Sequence, residues 1–179
     1  MDRMILGRNR FDAVARALRR RKFGTLSTLS EKGRPHATAV IYAVSPHDEP
    51  VFFYVTTRTT TRKVRNIRVR PDVAFVVPLA RLSAPAFPPR AVQFQGTAEV
   101  VAGEDEGALR AFHSSWFLRR ILSTEQRIVA QGGDLCFIRI RPDPVIFTYG
   151  IGMSVFETMR RPMDAAGRVA IPADRLSKP

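Results

Sequence analysis

Residues 51–68 read Val51-Phe52-Phe53-Tyr54-Val55-Thr56-Thr57-Arg58-Thr59-Thr60-Thr61-Arg62-Lys63-Val64-Arg65-Asn66-Ile67-Arg68. The opening run is short, apolar and mostly β-branched or aromatic, which predicts a buried strand over 51–56. From about Thr60 the pattern changes to helical spacing. Val64 and Ile67 stand between basic residues and Pro71 closes the segment, so a helix is expected to about Val69. A strand thus ends in hydroxyl residues and delivers Arg62 and Lys63 to the first turn of a short helix. That turn carries unpaired backbone N–H groups and the positive end of the helix dipole, which suits a phosphate. A Thr N-cap on a solvated basic helix is the plainer reading, and this window alone leaves both open.

Around this stretch the elements are short. Residues 9–22 place Phe11, Val14, Ala15 and Leu18 at helical spacing, predicting an amphipathic helix. Residues 24–29 and 36–44 alternate as strands across the turn Ser30-Glu31-Lys32-Gly33-Arg34-Pro35, forming an antiparallel hairpin. Further strands are expected over 73–77, 91–101 and 135–140, the last resuming over 145–149 across Pro142 and Pro144. Residues 104–130 read as helix, broken near Ser123-Thr124, and Val169-Ala170-Ile171 as a short edge strand. The Pro-rich apolar loop 78–90 suits a pocket lid or a subunit contact. Six strands at short spacing with few helices predict one mainly β domain over 1–179, a small antiparallel barrel with helices outside it. Its core spans 24–150, with the helix 9–22 before it and a tail over 151–179.

Composition narrows the function. The chain has 179 residues, 45% of them hydrophobic, and 29 Lys and Arg against 16 acids give +13. This excess, nearly all Arg, favours anionic partners, although a GC-rich genome also writes Arg at solvated positions. A single cysteine, Cys136, excludes an internal disulfide and reads as a core thiol. No apolar leader or membrane-spanning run occurs, so a soluble, cytoplasmic protein without a membrane partner is expected. His36, His47 and His113 are scattered, leaving no metal-ligand spacing. Gly-x-Gly-x-x-Gly, a phosphate-binding Walker loop, Gly-x-Ser-x-Gly and a paired-carboxylate motif are all missing. Any redox chemistry then falls to a bound cofactor that the protein positions.

The order of hairpin, strand, Thr61-Arg62-Lys63, then Arg70-Pro71-Asp72-Val73-Ala74-Phe75-Val76-Val77 and Val92-Gln93-Phe94-Gln95-Gly96-Thr97-Ala98-Glu99-Val100 resembles the pyridoxamine 5'-phosphate oxidase-like family. These are FMN-binding split β-barrels, a group that includes deazaflavin-dependent reductases and haem-binding members. The resemblance covers roughly residues 24–101 and implies a six-stranded antiparallel split barrel. It implies that Arg62 and Lys63 hold the flavin phosphate, with Thr61, Thr57 and Thr56 as neighbouring hydroxyls. It also implies that the flavin ring lies along Thr38, Ala39 and Val40, and that the chain forms a homodimer. Gln93, near the position of a family glutamine that itself falls at Ala91, is expected as a further cofactor-binding residue. The biosynthetic oxidases' Lys is replaced within Ile41-Tyr42-Ala43. Their substrate motif between 109 and 131 and their terminal Trp-x-x-x-Arg are missing, so pyridoxal phosphate synthesis is not expected. The implied function is an FMN- or deazaflavin-dependent oxidoreductase acting on a small organic acceptor. The alternatives are a non-catalytic flavin- or haem-binding module and, third, a nucleic-acid-binding barrel.

Overall fold

The computed structural model describes residues 2–79, 90–130 and 133–177. Its elements in chain order begin with α1 (Asp2–Arg20), β1 (Phe23–Leu29), β2 (Pro35–Val44), β3 (Phe53–Arg58) and α2 (Arg62–Val69). There follow β4 (Asp72–Leu79), β5 (Arg90–Ala102), α3 (Glu106–His113), α4 (Trp116–Val129), β6 (Leu135–Pro142), β7 (Val145–Tyr149), α5 (Val155–Arg160) and β8 (Ala166–Ala170). Six antiparallel strands run in the order β4-β1-β2-β3-β6-β5, and the β4–β5 pairing closes them into a barrel. β7 and β8 extend the sheet from β5.

Alternation decides what fills the barrel. Leu26, Val40, Tyr42, Phe53, Val55, Phe75, Phe94, Ile138 and Ile140 all belong to one buried cluster. At its centre the Phe53 ring lies tilted against Phe94 at 4.5 Å, and Tyr42 meets Phe75 edge-on at 5.3 Å, the T-shaped arrangement that aromatic quadrupoles favour. Phe11, Val14 and Leu18 of α1 join this cluster, and the Tyr42 hydroxyl donates to the Leu18 carbonyl at 2.8 Å. The opposite faces of β2, β3 and β6 carry a second cluster under α3 and α4, built from Ala43, Tyr54, Phe112, Leu118 and Phe137.

Two glycines have specific work. Gly33 closes the β1–β2 turn with φ 73°, a left-handed conformation that favours glycine. At Gly96 a Cβ would collide with the Arg141 carbonyl oxygen, so β5 and β6 approach this closely only with glycine at that position.

Several expected boundaries move. The first helix starts at Asp2 and ends at Arg20, and β3 starts at Phe53. The 104–130 helix breaks at Ser114–Ser115, not at Ser123-Thr124. Ser115 turns extended, and its hydroxyl accepts from the Leu118 N–H as an N-cap. Ser123 and Thr124 instead donate their hydroxyls to Arg119 and Arg120 carbonyls, each at 3.0 Å. Such i−4 bonds let a helix continue through them. Residues 166–170 form the edge strand next to β7. Most of the Pro-rich loop expected over 78–90 lies outside the described residues.

Candidate functional site

The ladder between β2 and β3 is short. Only Tyr42–Val55, Ala43–Tyr54 and Val44–Phe53 are paired. β1 pairs with β2 from Pro35 to Ile41, while β6 pairs with β3 as far as Arg58. The barrel is therefore split between residues 37–40 of β2 and 57–58 of β3. The Tyr42 N–H donates to the Lys22 carbonyl on the β1 side. Alternation then aims the backbone polar groups of Ala37 and Ala39 toward β3, beyond the end of the ladder.

The start of α2 lies at the end of β3. Thr61 occupies its N-cap position in extended conformation without a side-chain cap bond, and the first turn has no acid. The Thr61 hydroxyl instead donates to the Arg58 carbonyl at 3.0 Å and lies 3.2 Å from the Thr57 hydroxyl. By contrast, Asp105, Ser115 and Ser154 cap α3, α4 and α5 with their side chains. The first-turn N–H groups of α2 therefore lack the side-chain acceptor that α3, α4 and α5 have.

Arg62 is exposed and Lys63 half-buried on this turn. Burial pushes the Lys63 ammonium pKa down, against a smaller opposing effect of Cys136 and Glu125. Neither cation makes an ion pair among the described residues. Cys136 itself is buried, and burial raises its thiol pKa, which keeps it an inert core group.

The remaining candidates fall on different faces. Thr57 is buried on the inward side of β3 with Phe53 and Val55. Thr56 shares the outward side with Tyr54, and its Oγ1 is buried without a hydrogen-bond partner. The Val40 side chain is core, and its backbone polar groups point with those of Tyr42 toward β1, opposite Gly24, so the split does not receive them. Thr38 is half-buried, with its hydroxyl 3.3 Å from His36 Nδ1. Ala39 lies in an outer row that runs Ala39–Thr25–Val76–Gln93 across β2, β1, β4 and β5. Gln93 is thus three strand spacings from Ala39, roughly 14 Å, and a single chain does not bring it to the split. Tyr42 is wholly buried and bonded to α1, so it serves the core.

Two positioning residues were not singled out from the sequence. Asn66 Nδ2 donates to Thr28 Oγ1 at 2.9 Å in a buried contact that ties α2 to β1, and Thr28 Oγ1 in turn donates to the His36 carbonyl at 3.4 Å. The available signal was an amide at position 66 between Val64 and Ile67, on the apolar side of a basic helix.

Among the described residues no cluster of three or more His, Cys, Asp or Glu could hold a metal ion. No described helix is long and apolar enough to cross a membrane.

A family model described as pyridoxamine 5'-phosphate oxidase matches residues 11–149, and the chain belongs to that family. Among solved structures, a conserved hypothetical protein from Mycobacterium tuberculosis is 26% identical. It covers 72% of this chain and 78% of its own, with a TM-score of 0.54. HutZ, the haem storage protein from Vibrio cholerae, shares 20% identity over 78% of this chain and 94% of its own, at TM-score 0.60. A haem-binding protein from Mycobacterium smegmatis shares 15% identity over 83% of this chain and 52% of its own, at TM-score 0.57. The last two likenesses are likenesses of fold. No curated protein matches the chain by sequence.

Proposed function

We propose that the chain is an oxidoreductase that binds FMN or a deazaflavin at the split between β2 and β3 and acts on a small organic acceptor. The observation that carries this reading is the uncapped start of α2 beside Arg62 and Lys63, at the open end of the ladder. Two cations and free backbone donors at one helix start suit a dianionic phosphate. The unpartnered Thr56 hydroxyl at the same end is the kind of buried polar atom that a ligand would satisfy. Thr57 and Thr61 would steady that turn, while the Ala39 backbone edge would orient a planar ring. When bound, the cofactor supplies hydride transfer. The protein's own groups bind and orient it, since the buried Tyr42 and Cys136 are committed to packing.

Purified protein should take up FMN or deazaflavin with a change in the visible spectrum. Turnover of a quinone or enone with the reduced cofactor would then follow. Pyridoxine phosphate turned over as fast as the best acceptor would overturn the proposed substrate class. Binding of neither cofactor would sink the reading.

The second reading is a haem-binding module without turnover, supported by the likeness to HutZ and the mycobacterial haem-binding protein. A Soret band on haem addition, together with no uptake of either flavin type, would select it.

We also infer a homodimer. No residue of the outer row Ala39–Thr25–Val76–Gln93, which crosses β2, β1, β4 and β5, is buried within the single chain. Light scattering at micromolar concentration should give twice the chain mass, and a monomer would refute it.

A further inference from the structure

Residues from the end of α1, the start of α4 and the open end of the β1–β2 hairpin come together around one pocket. A shallow pocket of about 420 Å³ lies there, lined by Arg20, Arg21, Lys22, Phe23, Ile41 and Phe117 among others. Phe23 is 55% exposed and Phe117 44%, a high exposure for two phenylalanines that share one cavity. Phe23 and Ile41 are cross-strand partners in the β1–β2 register, so one side of the pocket is a fixed pleated surface. Lys22 is half-buried, with its ammonium donating to the Arg19 carbonyl at 2.6 Å. Burial and the neighbouring Arg19 both lower its pKa. No carboxylate is among the pocket's described lining residues.

Cations at a helix C-terminus offset the dipole there, and that accounts for Arg19 and Arg20 alone. It does not account for two exposed phenylalanines that line the same pocket as three consecutive cations. Cations beside exposed apolar surface complement a ligand that is apolar at one end and anionic at the other. The three positive residues share one cavity rather than forming a track, which fits one anionic head rather than a phosphate backbone.

We propose that this pocket binds an amphipathic organic anion, with its apolar body on Phe23, Ile41 and Phe117 and its carboxylate or phosphate held by the Arg20–Lys22 cations. The site stands on its own geometry and does not depend on which cofactor, if any, occupies the β2–β3 split.

Calorimetric titration of the purified chain with decanoate and with 1-decanol tests this without any cofactor. Decanoate should bind saturably, one per chain, about tenfold or more tighter than the alcohol, the discrimination expected of charge-assisted contacts. Arg20→Glu should remove that preference while leaving 1-decanol binding unchanged. Phe117→Ser should weaken both ligands, and Phe23→Ser provides a second variant if the first fails to fold. Equal binding of the two ligands, no decanoate binding at millimolar concentration, or insensitivity to these substitutions would each overturn the proposal. So would a ten-residue thymidine oligonucleotide that binds more tightly than decanoate and is lost in Arg20→Glu, since that pattern belongs to a nucleic-acid surface.

Discussion

The two ends of the β2–β3 pair behave as different materials. At the closed end, Tyr42, Ala43 and Val44 are paired with Phe53, Tyr54 and Val55, and Tyr42 and Phe53 are fully buried among Phe75 and Phe94. At the open end the same strands lose their pairing and the residues become Thr38, Ala39, Thr56, Thr57 and Arg58. Apolar burial supplies most of the driving force for folding, and it is concentrated where the strands are joined. The split end offers free backbone edges, hydroxyls and cations, which contribute little to stability and much to ligand chemistry. Stability and binding should therefore separate by position along two adjacent strands.

The largest expected effect is at the closed end. Phe53→Ala would leave a cavity inside the barrel and should cost about 3–5 kcal/mol of folding stability. Denaturant unfolding measures it, and a loss well below about 2 kcal/mol would mean that the ring cluster collapses around the gap.

The mirror experiment is at the open end. Arg62→Ala combined with Lys63→Ala should change stability by no more than about 0.5 kcal/mol, as is usual for substitutions away from the core. The pair should instead lower affinity for FMN or deazaflavin by about 1.5–3 kcal/mol per lost charge-assisted contact. Unchanged affinity for whichever cofactor the parent binds would break the assignment. The pH dependence has a definite sign. Burial lowers the Lys63 pKa in the free protein, whereas a bound phosphate dianion would pull it back up. Affinity should therefore be flat around neutrality and fall as pH rises through the lowered Lys63 pKa. In the unliganded protein the same shift means that the unfolded chain holds more protons in that window, so this group's contribution to stability rises with pH there. Lys63→Ala should flatten the alkaline fall in affinity.

Asn66→Ala lies between the two regimes. It removes the donor that ties α2 to Thr28, and a lost buried hydrogen bond of this kind costs about 1–3 kcal/mol. Because α2 carries Arg62 and Lys63, cofactor affinity should fall together with stability. A stability loss with unchanged affinity would show that α2 keeps its place without this bond.

The closed end was the more legible of the two in the sequence. Alternating Val, Phe and Tyr over 51–55 and Ile41-Tyr42-Ala43-Val44 announces strands, and the Gly33 turn announces their hairpin with β1. The site residues were legible as types but not as directions. Thr56 and Thr57 read as one hydroxyl cluster, yet pleating sends them to opposite faces of β3. Gln93 stood near the position of a family glutamine, and the barrel puts two strands between β5 and β2. Alternation alone separates Thr56 from Thr57, but which of them points inward, and which strands stand between Gln93 and β2, need the register and strand order. The helix break was misplaced because Ser123-Thr124 and Ser114-Ser115 are chemically similar pairs. Only backbone conformation decides whether such hydroxyls cap a new helix or bond back into an existing one. Asn66 escaped because a single amide on a basic helix gives no sign of which strand it will reach.

The smallest expected effect is also the sharpest test of where the split begins. Thr56 pairs with Phe137 of β6 and sits just past the last β2–β3 rung, with its Oγ1 buried and unpartnered. Thr56→Val keeps the branched shape and removes the hydroxyl. If that oxygen belonged to the packed region, removing an unsatisfied polar atom would stabilise the fold by up to about 1 kcal/mol and do nothing else. If it belongs to the ligand-facing region, the same substitution should leave stability equal or slightly raised and weaken the cofactor by about 0.5–1.5 kcal/mol, the contribution of one neutral hydrogen bond. Thermal unfolding and a cofactor titration on the one variant separate the two outcomes. Unchanged affinity would move the boundary between closed and open ends one residue further along β3, to Thr57.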